Sequence, residues 1–118
     1  MPTIMVADDS SFMRHRLVNL LTEHKYEVVE AKNGEEAIEL YRQAQPDAVL
    51  LDFAMPGKNG LATLRAIRRL NSEAKVIMLT ALSQEAIAIQ SMQAGAKDFV
   101  AKPFESEQLL KAVRRVLR

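Results

Sequence analysis

The chain has 118 residues, 48% of them hydrophobic and 26% charged, and a net charge of +1. That describes one globular domain with enough material for an ordinary core, and its balance calls for neither nucleic acid nor an anionic membrane. The absence of cysteine excludes disulfides, zinc–thiolate sites and thiol nucleophiles and fits a reducing cytosol, while no apolar run nears the roughly 20 residues of a bilayer span.

The start, Met1-Pro2-Thr3-Ile4, lacks the basic segment of a secretory signal. A β-rich run follows at Thr3–Ala7. Met13, Leu17, Leu20 and Leu21 then fall on one helical face, with Ser10 or Ser11 as the expected cap. A second strand is predicted at Glu27–Ala31, and Ala37, Leu40, Tyr41 and Ala44 again show helical spacing. Ala48–Leu51 and Lys75–Thr80 read as the next strands, separated by a helix carrying Leu61, Leu64 and Ile67. Gln84–Ala94 is helical in composition, but its apolar residues make no single stripe. Asp98–Ala101 is the fifth strand, and Leu109, Val113, Val116 and Leu117 line a last helix with Ser106 as its expected cap. All four glycines and all four prolines lie outside the interiors of these elements, where chain breakers belong.

Strands alternating with helices predict an α/β sandwich around a parallel sheet. Val49-Leu50-Leu51 and Val76-Ile77-Met78-Leu79 are continuously apolar, as strands covered on both faces must be. Ligands of such folds bind beyond the carboxyl ends of the strands. Asp8-Asp9 follow the first strand, Asp52 the third, Thr80 the fourth and Lys102-Pro103 the fifth. Singly, each has a bland role: a helix-capping Asp pair, a turn Asp, a strand Thr, a solvated Lys. Together they bring three carboxylates, a hydroxyl and an ammonium to one edge. Like charges so close repel by several kcal/mol at intermediate dielectric, on the order expected for buried pairs, unless a cation and the lysine relieve them. Oxygen ligands without His or Cys point to Mg²⁺ or Mn²⁺, not zinc.

In these motifs the chain resembles the receiver domains of two-component response regulators, most closely the stand-alone chemotaxis-type regulators. The matching segments are Asp8-Asp9, Leu50-Leu51-Asp52-Phe53-Ala54-Met55-Pro56-Gly57, Asn59-Gly60, Leu79-Thr80-Ala81, and Gly95-Ala96-Lys97-Asp98-Phe99-Val100-Ala101-Lys102-Pro103-Phe104. The resemblance covers essentially the whole chain. It implies a flavodoxin-like fold with five parallel strands in the order 2-1-3-4-5, the order the chemotaxis member of this fold class exemplifies. It further implies that Asp52 accepts a phosphoryl group from a sensor histidine kinase or phosphotransfer protein. Asp9, Asp52 and the backbone carbonyl of Ala54 would bind Mg²⁺, and Asp8 would hold a metal-bound water. Lys102 would pair with a phosphoryl oxygen, behind it a cis bond to Pro103. Thr80 would turn its hydroxyl to the phosphoryl group and Phe99 would follow, changing the surface offered to a downstream protein target. Many members carry tyrosine where Phe99 stands, so a steric switch is expected here without a hydroxyl contact.

The implied protein is a cytoplasmic, monomeric receiver domain spanning residues 1–118, without nucleic-acid or membrane partners. It would be no enzyme beyond catalysing its own phosphorylation and dephosphorylation. The last helical pattern runs out at Arg118, so no output domain is expected. Three other functions fit the residues less well. A binding module that has lost phosphorylation would lack one of the acids or the lysine, and all are present. A phosphatase of the haloacid dehalogenase type needs a second acid where Ala54 stands. A flavin carrier needs a Ser/Thr/Gly-rich phosphate loop after Thr3–Ala7, where carboxylates stand instead. His15 and His24 read as solvated, and Arg65, Arg68, Arg69 and the basic residues Lys111, Arg114, Arg115 and Arg118 as charges suited to helix ends and surfaces.

Overall fold

In the computed structural model, which describes residues 1–81 and 84–118, the two sequence periods become ten alternating elements. They are β1 (Thr3–Ala7), α1 (Ser11–Glu23), β2 (Glu27–Ala31), α2 (Gly34–Ala44) and β3 (Ala48–Asp52). The chain continues with α3 (Gly60–Leu70), β4 (Val76–Ala81), α4 (Glu85–Gln93), β5 (Asp98–Lys102) and α5 (Ser106–Leu117). All strand pairs are parallel and the sheet order is β2-β1-β3-β4-β5, the predicted arrangement.

Successive strand residues point to opposite faces, so each central strand feeds two cores. Ile4, Val6, Leu50, Ile77 and Leu79 pack against Leu17 and Leu21 of α1 and Leu109 and Val113 of α5. Met5, Val49, Leu51, Val76 and Met78 face Ala37 and Tyr41 of α2 and Leu64 and Ile67 of α3. No helix is long and apolar enough to cross a membrane among the described residues.

Several details depart from the sequence reading. Strands β3, β4 and β5 each run one residue further, so Asp52 and Lys102 are strand residues and Thr80 is followed by Ala81 within β4. The cap of α1 is Ser10, whose hydroxyl accepts a hydrogen bond from Met13 N at 3.2 Å. Ser106 is the first residue of α5, not its cap; Glu105 holds that position without a side-chain bond. Ala44 is exposed because α2 ends there and turns into the left-handed Gln45. Caps that the spacing did not announce are Asn33 and Asn59, each accepting the N–H of the third residue of its helix. Segment α4 buries only Ala88 and Ser91 and exposes Ile89 and Met92, which explains its missing stripe.

Candidate functional site at the carboxyl ends of the strands

The sheet order reverses between β1 and β3, the switch point at which folds of this kind hold their ligand crevice. Register sets the contents. Ala7 pairs with Leu51 and Asp52 with Leu79, so Asp8 and Asp52 come level on neighbouring strands and Thr80 stands one residue beyond them on β4. Asp8 and Asp52 are buried and Asp9 is exposed. One carboxylate oxygen from each of the three lies within 4.8 Å of the others. Lys102, from the end of β5, reaches over with its Nζ 3.1 Å from Asp52 Oδ1 and 3.3 Å from Asp8 Oδ2. The Lys102-Pro103 peptide bond is cis, as the resemblance implied.

Burial is the main force pushing the Asp52 carboxyl above the usual carboxylate range, and the Asp8 charge adds to it. The Lys102 ammonium, its hydrogen bond and the Ala54 backbone N–H pull the other way without cancelling the rise. One ammonium among three carboxylates leaves an excess equal to the charge of one divalent cation. The donor set therefore fits a hard cation bound through oxygen.

The loop after β3 is held tightly. Phe53 N donates to Leu79 O at 3.0 Å, and the Phe53 carbonyl accepts from Met55 N and Gly60 N at 3.1 and 2.9 Å. Ala54 is exposed on this loop, and its carbonyl accepts no hydrogen bond from the described residues. Thr80 is buried one residue before the end of β4, and among the described contacts no hydrogen bond joins it to the acids. Phe99 is 43% exposed on the edge strand β5, opposite Met78, and so stands away from the acidic cluster. His15 and His24 are exposed, the latter with Nδ1 2.9 Å from Leu20 O.

Two residues here escaped the sequence reading. Arg14 of α1 donates from Nη1 to the Asp8 carbonyl at 2.7 Å and lies 3.4 Å from Glu30. Arg16 places its guanidinium 5.7 Å from the centre of the Phe104 ring, behind Lys102 and Pro103. Neither had a sequence signal, since an arginine on the polar side of a helix is usually solvated, and Glu30 and Phe104 are remote from these arginines in the chain.

Comparison with known proteins accords with this arrangement. The response regulator receiver domain family matches residues 4–114. The protein CcdB of Bacillus subtilis is 44% identical over 118 residues, covering 99% of this chain and 98% of that protein. The chemotaxis protein CheY of Bacillus subtilis is 39% identical over 115 residues, covering 97% and 96%. Among solved structures, the CheX–CheY–BeF₃–Mg²⁺ complex from Borrelia burgdorferi contains a similar chain, with a TM-score of 0.93 and 31% identity over 98% of this chain and 89% of that one. With its sheet order, its acids at the strand ends and a family match along nearly its whole length, the chain belongs to the response regulator receiver domains of two-component signalling.

Proposed function

We propose that this receiver is a phosphoacceptor switch in which Asp52 takes a phosphoryl group, with Mg²⁺, from a sensor histidine kinase or phosphotransfer protein. The observation that carries the reading is the Asp52 carboxylate, buried at the end of β3 within 3.1 Å of the Lys102 ammonium and beside two further acids. An Asp52 oxygen attacks phosphorus as the bond from phosphorus to the donor's leaving atom breaks, giving an aspartyl-phosphate. Asp9, Asp52 and the Ala54 carbonyl would hold Mg²⁺, with Asp8 alongside. When bound, the ion supplies neutralisation of the carboxylates and of the incoming phosphoryl oxygens. Lys102 pairs with one phosphoryl oxygen, and its present bonds to Asp8 and Asp52 keep it at hand. Thr80 turns its hydroxyl toward the phosphoryl group, and Phe99 follows from its exposed position, altering the α4–β5–α5 surface offered to a downstream protein. The chain catalyses its own phosphorylation and dephosphorylation and acts on no other substrate. The Borrelia relative was crystallised as a complex with Mg²⁺, BeF₃ and the protein CheX, which supports a metal and a protein partner for this chain.

Incubation with acetyl phosphate tests the reading. Intact-mass measurement should find one added phosphoryl group in Mg²⁺ and none in EDTA. Absence of labelling in Mg²⁺ would overturn it.

Two further results are expected. Mg²⁺ should raise the melting temperature, since a ligand at a hundred times its dissociation constant adds about 2.7 kcal/mol. Asp9→Ala should lose most of that gain while melting slightly higher than wild type without metal, because one repelling charge is gone. Thermal unfolding across a Mg²⁺ titration checks both parts. The phosphoryl group should also decay slowly, because the methyl of the exposed Ala54 offers no donor or acceptor to align a water. The resemblance implicates a second position, Leu82, two residues beyond Thr80, which lies outside the described residues. Ala54→Asn combined with Leu82→Glu should speed decay several-fold, measured by loss of label after removal of acetyl phosphate. An unchanged rate would show that these positions do not set the lifetime.

A further inference from the structure

We propose that Arg14 is a positioning residue for the acidic cluster: held by Glu30, its guanidinium fixes the peptide that joins Asp8 to Asp9 and so sets both carboxylates for a divalent cation. The inference rests on the metal reading above and adds a residue to it.

Each polar group of Asp8 is engaged from a different part of the chain. Its N–H donates to Ala31 O at 3.1 Å, prolonging the β1–β2 pairing by one residue. Its Oδ1 accepts from Ser10 N at 2.9 Å, and its Oδ2 lies 3.3 Å from Lys102 Nζ. The carbonyl is left, and Arg14 Nη1 takes it at 2.7 Å. That carbonyl belongs to the Asp8–Asp9 peptide, so its direction governs where the next residue begins. Asp9 is exposed, and its placement follows largely from the backbone on either side. A guanidinium suits this task because its planar fork holds two partners in a fixed relation. Here Nη1 meets the carbonyl while Nε faces Glu30 Oε1 at 3.4 Å, on the neighbouring strand β2. The arginine side chain is only 17% exposed, which restricts its alternatives. Partly exposed ion pairs add little to stability, so the pair is better understood through what it orients than through what it stabilises.

Electrostatics and positioning predict opposite signs, which makes the inference testable. A cation this near the acids repels a divalent ion, so removing its charge should tighten Mg²⁺ binding if charge alone matters. If Arg14 positions the loop, removing it should weaken binding, as losses of groups that orient metal ligands do by about 10–100-fold. Calorimetric titration of Mg²⁺ into wild type, Arg14→Met, Arg14→Lys and Arg114→Gln decides between them. Arg114 pairs with Glu107 near the far end of α5 and controls for loss of one positive charge. The expected result is weakening of about tenfold in Arg14→Met, a smaller loss in Arg14→Lys, and no change in Arg114→Gln. Circular dichroism establishes that each variant is folded, and Arg14→Lys carries the test if Arg14→Met is not. Unchanged or tighter binding in Arg14→Met, or in Arg14→Lys where that variant alone is folded, with normal wild-type binding, overturns the positioning role alone. No Mg²⁺ binding by wild type overturns the metal reading and this inference with it.

Discussion

Asp52→Asn should abolish labelling by acetyl phosphate and, at neutral pH, melt at a higher temperature than wild type. The first effect follows because an amide is not a competent nucleophile toward phosphorus. The second follows from the cost of the native charge. Burial, and secondarily Asp8, raise the Asp52 carboxyl above its unfolded value, so the folded state holds that proton more tightly than the unfolded state. Wherever the folded state binds more protons, stability falls as pH rises. Asp52 therefore costs nothing below its unfolded pKa, and its penalty grows as pH climbs through the folded pKa. Asparagine carries no such penalty at any pH. The gain in melting temperature should accordingly be largest at neutral pH and shrink as pH is lowered through that window. In saturating Mg²⁺ the order should reverse, since the ion stabilises wild type and finds a poorer site in the variant. Equal labelling of the variant would place the acceptor elsewhere. A variant less stable than wild type in EDTA at neutral pH would mean that the bond to Lys102 outweighs burial.

The fold was legible because its signals are local and repeated. Apolar runs such as Val76–Leu79 announce a strand covered on both faces, and their alternation with helical stripes leaves few arrangements besides a parallel sheet. The acids were legible for the same reason, since parallel strands bring all their carboxyl ends to one edge. Boundaries were less so: Asp52 and Lys102 looked like loop residues because polar side chains rarely continue a strand, yet their backbones keep the ladder. Arg14 was not legible at all. Its role depends on a helix crossing beside β2 at a distance that brings Glu30 and the Asp8 carbonyl to one guanidinium, and nothing in the neighbouring residues records that distance. Phe99 was foreseen as the side chain that follows Thr80, and the structure holds it exposed.

Gly60→Ala should injure both the fold and the phosphoryl transfer, and it tests how closely the two are joined. Gly60 opens α3 and is buried under the end of β3. A Cβ built there would stand 2.5 Å from Phe53 Cα and 2.6 Å from the Asp52 carbonyl oxygen, both backbone atoms with no rotamer to yield. The Gly60 N–H also donates to the Phe53 carbonyl at 2.9 Å, so the helix cannot draw back without losing that bond. Its backbone is not in the left-handed region, and alanine would favour the helix by up to about 1 kcal/mol. Crowding of this kind costs about 1–3 kcal/mol, and more where only backbone can move. Steric displacement therefore wins, and the atoms displaced carry the acceptor. Urea unfolding should find the variant destabilised by about 2 kcal/mol or more, with labelling slowed at least tenfold under conditions where the protein remains folded. Gly57→Ala is the contrast, because nothing lies within 4 Å of its added Cβ although its φ is +75°. It should lose stability through backbone strain of about 1 kcal/mol while labelling close to the wild-type rate. If Gly60→Ala labels normally despite its instability, the end of β3 tolerates displacement and the geometry of Asp52 is set by its partners across the crevice, Lys102 first among them.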